Sequence, residues 1–320
     1  MNAAAHPAQA WAGTGRLERP ARRIASLLPS ATEIVCALGL VDRLVAVTHE
    51  CDYPADALAG IPRVTTNLLP PELTRSDEID AAVREAVGAG HGLYALDDAG
   101  MIELAPDLIL TQELCDVCAV AYPTVVEAAR LAGGGSAPAI VSLEPHSLTD
   151  VFATIGLVAD LAGVPGRGGE LVAALAGRLE AIPRPVVHRR AALIEWLSPL
   201  FVPGHWVPEQ IERAGGVSVL GHAGERSREG TYEALAAGDP EVVVLGLCGF
   251  DLPRTLEEWG TFGIPDAFRQ TRAWREGEVW AIDGSAFVSR PGPRLVDGVE
   301  ILSVILRRGE DPRAVRLRGT

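Results

Sequence analysis

The sequence contains no lysine, so all 28 of its basic residues are arginine. Its 42 acidic residues give a formal net charge of −14. This acidic balance argues against a protein whose main task is binding nucleic acid or an anionic membrane surface. Aromatic side chains are also scarce: only 16 of the 320 residues are Phe, Tyr or Trp. A local group of aromatics in such a chain is therefore worth following.

Long apolar runs are missing as well. No stretch approaches the roughly 20 apolar residues of a membrane-spanning helix, so we expect no membrane insertion. The opening "MNAAAHPAQAWAGTGRLERPARR" has no basic segment followed by an apolar one, and no cysteine for lipid attachment, unlike a secretory signal. We therefore expect a cytoplasmic protein with a disordered tail over residues 1–22. A periplasmic or extracellular location would follow if the start of the sequence were misassigned.

Common catalytic motifs are absent too. The chain has no GxSxG elbow, no P-loop, no HExxH and no GxGxxG after the first strand; each of these would indicate a specific chemistry. The sequence thus favours a binding protein over an enzyme.

The chain does contain a regular alternation of apolar strands and amphipathic helices, which is typical of βαβ units and mostly parallel sheets. The pattern runs from "RIASLLP" to about residue 146 and restarts after residue 185. Between them, residues 147–182 have helical periodicity interrupted by "GVPGRGG", which allows one bent helix or two. We predict two α/β lobes with mostly parallel sheets, at 23–146 and 186–320, bridged by a long helix at 147–185. We also predict a capping box at the first helix, since Ser30 and Glu33 have the required spacing.

Three segments resemble a known family: "RIASLLPSATEIVCALGLVDRLVAVTHECDYP", "LAPDLILTQ" and "DPEVVVLGLCGFD". They are similar to class III solute-binding proteins, in which one long helix bridges two α/β lobes. Within that class the chain looks most like the vitamin B12 and iron–siderophore branch, and like a cytosolic-looking cobalamin-binding subgroup. The resemblance implies a ligand held in the cleft between the lobes.

The resemblance also bears on partners. In exported members a glutamate on each lobe docks an ABC permease; Glu33 falls on the first such position, and Glu209 or Glu212 are candidates for the second. Without an export signal we doubt a permease partner and expect only a small-molecule or metal ligand. The spacing from Ser30 favours a helix-cap role for Glu33.

Cysteines supply the first set of candidate site residues. In parallel sheets, ligand sites form in the loops after the carboxyl ends of strands. Three such loops contain cysteine: Cys51, the CxxC pair Cys115 and Cys118, and Cys248. Four thiolates are the number that a tetrahedral zinc ion or an iron–sulfur cluster needs. Cys36 lies on the apolar face of a helix, and we exclude it.

The cysteines leave three alternatives open. They could bind a metal or cluster, the CxxC could act as a thiol redox pair, or they could fill the core as small apolar residues. Their spacing matches neither a short zinc ribbon nor a ferredoxin run.

Histidines, aromatics and arginines supply the second set of candidate site residues. His49 and His205 follow strands, and either imidazole could approach a corrinoid cobalt axially. His146 lies at the entry to the bridging helix, and we assign it a structural role.

Apolar and aromatic walls suit a large macrocycle. The ligand-wall candidates among the aromatics are Tyr53, Trp196, Phe201, Trp206 and Phe250. Arg290 and Arg294 bracket the start of the last helix and could bind an anion.

Three hypotheses follow, in order of preference. The first is a non-catalytic protein that binds cobalamin or another corrinoid between its lobes. The second is a metal or iron–sulfur protein on the same fold, using Cys51, Cys115, Cys118 and Cys248. The third is a CxxC thiol redox enzyme.

Overall fold

The computed structural model describes residues 17, 19–112, 124–127, 138–183 and 186–317. These residues divide into two compact units, each with its own mainly parallel sheet. Unit 1 comprises the described parts of Met1–Leu73, Ala81–Glu144 and Phe152–Ala173. Unit 2 comprises those of Thr74–Asp80, Pro145–Val151 and Ala174–Thr320. The predicted α/β fold class is confirmed, whereas the predicted lobe boundaries stay predictions.

The bounds of the regular elements are as follows. The strands are β1 (Ile24–Ser26), β2 (Leu44–Val47), β3 (Thr65–Asn67), β4 (Tyr94–Leu96), β5 (Leu108–Thr111), β6 (Ala139–Ser142), β7 (Arg189–Ile194), β8 (Phe201–Val202), β9 (Gly216–Ser218), β10 (Arg228–Glu229), β11 (Val242–Leu245), β12 (Val279–Ile282) and β13 (Ala314–Leu317). The helices are α1 (Pro29–Ala37), α2 (Ser76–Gly88), α3 (Asp98–Leu104), α4 (Leu148–Leu161), α5 (Pro165–Glu180), α6 (Val207–Arg213), α7 (Tyr232–Gly238), α8 (Leu252–Thr261), α9 (Asp266–Arg269), α10 (Arg272–Arg275) and α11 (Leu295–Leu306). Short 3-10 turns lie at Val41–Arg43 and Asp56–Leu58, and a π-helical turn at Ser285–Ser289.

Unit 1 is built on a parallel sheet of order β2-β1-β5-β6. A separate antiparallel pair joins β3 to β4. The core around the sheet includes Ala25, Ile109 and Ile140, each fully buried. The carboxyl ends of β1 and β2 lie side by side, so the loops that follow these strands meet at one edge.

Unit 2 is built on a five-stranded sheet of order β13-β12-β11-β7-β9. All neighbours are parallel except β13, which pairs antiparallel with β12. Successive residues of a strand enter different cores: Leu193 and Val244 belong to one cluster, Ile194 and Val243 to another. Both faces are therefore covered, and this explains why β11, β12 and the last four residues of β7 are continuously apolar.

The start of α1 differs from the prediction. The predicted capping box is wrong, because Leu28 is the N-cap and no side chain caps the helix. Pro29 occupies the first helical position, where its missing N–H costs nothing and its fixed φ favours the helix. Ser30 is consequently inside the helix, and Glu33 is buried there at 4 % exposure.

The segment between the two βα patterns forms two helices, α4 and α5, rather than one bent helix. Gly163 lies between them with φ +69°, a left-handed conformation that glycine adopts without a Cβ penalty. The division into units falls inside both helices. Within the described ranges, no helix is long and apolar enough to cross a membrane.

Candidate functional site

The loop after β2 carries two predicted site residues of unit 1, and a buried hydroxyl network holds it. Cys51 is 1 % exposed, and its Sγ lies 3.1 Å from both Thr32 Oγ1 and Thr48 Oγ1. Thr32 in turn donates to Ser26 Oγ at 2.8 Å. The network ties the start of α1 to the ends of β1 and β2. In this position Cys51 has the burial and weak hydrogen bonding of a structural cysteine.

His49 lies two residues before Cys51 and has two differently placed ring nitrogens. Its backbone N–H donates to Thr65 Oγ1 at 3.0 Å, and its Nδ1 lies 2.7 Å from the same hydroxyl. The buried Nε2 has no hydrogen-bond partner within the described residues. Glu50 Oε1 lies 3.9 Å from Nε2, too far for a hydrogen bond. The imidazole is thus anchored through Nδ1, and Nε2 is hydrogen-bonded to no described residue.

Two tyrosines lie beside this loop. The Tyr94 ring, in β4, has its centroid 5.4 Å from that of His49. Tyr53 follows Cys51 and is 47 % exposed. Its predicted contact with a ligand stays a prediction.

The remaining cysteines do not form a described metal site. Cys115 and Cys118 lie outside the described residues. Cys248 follows β11 in unit 2, is exposed, and its backbone N–H donates to Glu195 O at 2.8 Å. Over the part of the chain that the structure describes, no group of three or more His, Cys, Asp or Glu side chains could hold a metal ion.

In unit 2, three of the predicted aromatics follow β7 and β11. The rings of Trp196 and Phe250 are 5.1 Å apart, and the Arg254 guanidinium lies 4.3 Å from the Phe250 centroid. Trp196 Nε1 donates to Ser76 O at 3.1 Å, so its polar atom is satisfied by protein. Phe201 is half-buried at the start of β8, and its N–H donates to Trp196 O. Phe250 belongs to a core cluster of unit 2 and Trp196 packs against it, so the predicted contact of these rings with a ligand stays a prediction.

His205 occupies a strained position in the loop between β8 and α6. Its φ is +48°, a left-handed conformation that costs a non-glycine residue about 1 kcal/mol or more. Two backbone hydrogen bonds hold it there: the His205 N–H donates to Glu225 O at 2.6 Å, and the Gly224 N–H donates to His205 O at 2.9 Å. Burial, with the nearby His146 and Arg226, lowers the pKa of His205. The imidazole is therefore neutral at physiological pH.

Trp206 is the N-cap residue of α6 and lies at 5 % exposure in the core of unit 2. Its Nε1 donates to Val288 O at 2.8 Å. From the next turn, the Gln210 amide donates to Phe287 O at 3.0 Å and to Leu295 O at 2.9 Å. These side chains bind two carbonyls of the π-helical turn and one at the first residue of α11, and so join the three elements.

Arg290 and Arg294 follow that turn, and both are half-buried. Asp283 lies just before the π-helical turn, and its Oδ1 accepts a hydrogen bond from the Ala286 backbone N–H at 2.7 Å. Burial raises the pKa of Asp283, and the charges of the two arginines oppose this rise. The arginines thus lie near an internal carboxylate, and their predicted anion-binding role stays a prediction.

Of the three glutamates suggested for permease docking, Glu33 and Glu209 are held in the fold, whereas Glu212 is exposed. Glu33 is buried, as described above. Glu209 Oε2 accepts from the Leu148 N–H at 2.9 Å and so caps the start of α4. A carboxylate at a helix N-terminus is stabilised by the macrodipole.

Sequence reasoning missed three residues of these environments: Thr65, Gln210 and the involvement of His146. The ring centroids of His146 and His205 are 5.5 Å apart. No short motif links any of the three to its partner, so only the general occurrence of polar residues at strand and helix ends could have suggested them.

Solved structures with the same fold define the structural class of this chain. The chain has the fold of class III periplasmic solute-binding proteins. It is similar to the periplasmic heme-binding protein RhuT from Roseiflexus sp. RS-1 (TM-score 0.65, 22% identity, 90% of this chain and 98% of that one). It is also similar to an ABC-type Fe3+-hydroxamate transport system structure from Saccharomonospora viridis (TM-score 0.64, 23% identity, 90% and 94%). No family model matches the sequence.

Among curated proteins, the chain is similar to a vitamin B12-binding protein of Vibrio cholerae serotype O1. It is 24% identical over 296 residues, which cover 90% of both chains. The solved periplasmic vitamin B12-binding protein BtuF of Vibrio cholerae has TM-score 0.60 and 21% identity, with 90% of this chain and 98% of that one covered. The predicted resemblance to class III solute-binding proteins is confirmed, and the relatives are binding proteins rather than enzymes.

Two predictions change with these findings. The cytoplasmic location is wrong, because the similar solved proteins are periplasmic. The doubt about an ABC permease has no support, since a protein of this fold belongs to an ABC-type transport system. None of these relatives is described as an iron–sulfur, zinc or thiol redox protein.

Proposed function

We propose that this protein is a periplasmic, non-catalytic binding protein for cobalamin or another corrinoid, which it delivers to an ABC permease. The supporting similarity is that to a vitamin B12-binding protein over 90% of both chains. The structural observation that carries the proposal is the arrangement of His49 at the end of β2.

His49 has the features of an axial ligand for a macrocycle-bound metal. Coordination at Nε2 requires the other nitrogen to keep its proton, and a hydroxyl oxygen such as that of Thr65 can accept it. Metal-binding histidines usually donate their second N–H to a fixed partner in this way, which sets the tautomer and the ring orientation. In this proposal Nε2, which is buried and has no hydrogen-bond partner within the described residues, is the nitrogen that binds the cargo's cobalt. In this proposal Thr65 is a positioning residue.

The test is titration of the full chain with aquocobalamin and cyanocobalamin, followed by absorbance. Aquocobalamin has an exchangeable water on cobalt, whereas cyanide fills that position in cyanocobalamin. We expect wild type to bind both and to shift only the aquocobalamin spectrum. His49→Ala should lose that shift and about tenfold or more in aquocobalamin affinity. Thr65→Val should lose about tenfold by freeing the ring.

His91→Ala is the matched control, because His91 is exposed in the same unit. Failure to bind either corrinoid would refute the proposed cargo. Binding with an unchanged His49→Ala variant would refute the axial role alone.

Heme is the second candidate cargo, because a protein of the same fold binds it and imidazole is a common ligand of heme iron. A parallel titration with hemin separates the two. A chain that binds hemin and neither corrinoid refutes the corrinoid proposal.

A further inference from the structure

A pair of histidines in unit 2 forms a cluster that the proposed cargo site at His49 does not use. His146 precedes α4 and His205 precedes α6, so the two are 59 positions apart in sequence and meet only in the fold. Their ring centroids are 5.5 Å apart with planes tilted by 40°. His205 Nδ1 is buried and has no hydrogen-bond partner within the described residues.

The spacing fits shared coordination of one ion. With a metal–nitrogen bond of about 2.1 Å, an ion lies about 3.2 Å from the centroid of each imidazole that binds it. Two centroids 5.5 Å apart then subtend about 120° at the ion, close to the angle between two ligands of a tetrahedral site. The ring planes are tilted by 40°, so the two imidazoles are not stacked in parallel.

The surroundings hold the backbone of both histidines in place. The left-handed backbone of His205 is fixed by its bonds to Glu225 and Gly224, and the His146 N–H donates to Asp150 Oδ2 at 3.0 Å. A residue held in a strained backbone conformation, as His205 is, occurs at binding sites more often than elsewhere.

The geometry points to a divalent transition-metal site formed by His146 and His205, which takes borderline ions such as Ni2+ that prefer imidazole. Across the described residues no third His, Cys, Asp or Glu joins the pair, so water or an added ligand fills the other positions. The Arg226 charge opposes a cation, so we expect weaker binding than in a closed structural site. The inference stands independently of the proposed corrinoid cargo.

The test is equilibrium dialysis of the chelator-stripped full chain against Ni2+ at about pH 7.5. The double variant His146→Ala/His205→Ala measures the nickel bound elsewhere, including by cysteines. We expect wild type to bind one equivalent more than this variant. Each single variant should lose that same equivalent, because both rings hold one ion.

His188→Ala is the control, since its Nδ1 already has Gly215 O as a partner at 3.0 Å. It should bind nickel like wild type. Thermal melts check that each variant is folded. Nickel binding that is equal in wild type and double variant would overturn the inference. Single variants that each lose only part of the equivalent would show two independent histidines and would overturn it too.

Discussion

Replacing Gly298 by alanine tests how tightly the π-helical turn is held against α11. A Cβ at this position would lie 2.3 Å from Phe287 O and 2.8 Å from Gln210 Nε2. Real Cβ atoms essentially never approach a backbone atom this closely, so the turn or the helix must move by roughly 1 Å. Such overpacking costs about 2–3 kcal/mol.

The same substitution also removes a helix-interior glycine, which by itself stabilises a protein by about 1 kcal/mol. The net expectation for Gly298→Ala is therefore a loss of about 1–2 kcal/mol. Gly177 is the matched control: it lies inside α5 in the same unit, and its added Cβ would meet nothing within 4 Å. Gly177→Ala should gain about 0.5–1 kcal/mol.

Urea unfolding followed by intrinsic fluorescence measures both variants. The method reports on unit 2, which contains Trp196, Trp206, Trp259, Trp274 and Trp280. The two midpoints should move in opposite directions. If Gly298→Ala is as stable as Gly177→Ala, the close contact with the π-helical turn does not exist and the reasoning is refuted.

Three further predictions concern single side chains. Asp311→Asn should destabilise the protein at pH 7 by about 1–3 kcal/mol, because the Arg313 guanidinium bonds the carboxylate and lowers its pKa. That contribution is present above the unfolded pKa of about 3.9 and is lost as the pH falls below it, so the stability difference should shrink in urea melts at about pH 3. Glu258→Ala should cost about 1–3 kcal/mol in the same assay, since this buried carboxylate accepts the Ser76 backbone N–H at 3.0 Å and its hydroxyl. Cys36 should react with iodoacetamide about a hundredfold more slowly than an ordinary thiol in labelling followed by mass spectrometry, because burial raises its pKa to about 11.

Each of these has a contradicting outcome. A stability difference for Asp311→Asn that persists unchanged at low pH would mean that charge is not its cause. Glu258→Gln keeps an acceptor for the serine and should cost less than Glu258→Ala; equal losses would contradict the hydrogen-bond argument. Rapid labelling of Cys36 in folded protein would show that its thiol is not desolvated.

Much of the fold could be predicted because its signals are local. β11 and the last four residues of β7 are continuously apolar, and this pattern is enough to indicate strands covered on both faces. The amphipathic segments between the strands likewise form helices, as α2 and α11 show. The capping box failed because two competing start signals were present, and Pro29 began the helix one residue before Ser30.

The candidate site could be predicted only in part. Strand-end reasoning correctly placed His49 and Cys51 in the loop after β2, yet it could not say that hydroxyls surround the thiol. It selected Trp206 for its loop position, whereas the indole N–H is bound by a carbonyl 82 residues away. The predicted cytoplasmic location was wrong because it was inferred from the first residues of the sequence, whereas the similar solved proteins are periplasmic.

The sequence by itself determined the alternation of strands and helices, the covered parallel sheets and the class of fold, since each depends on the periodicity of neighbouring residues. Only the tertiary structure decided which polar atoms have partners. The anchoring of His49 on Thr65, the approach of His146 to His205 and the confinement of Gly298 by Phe287 all join residues at least 11 positions apart. Hydrogen bonding and steric exclusion act over a few ångströms in space, and no pattern along a single chain records those distances.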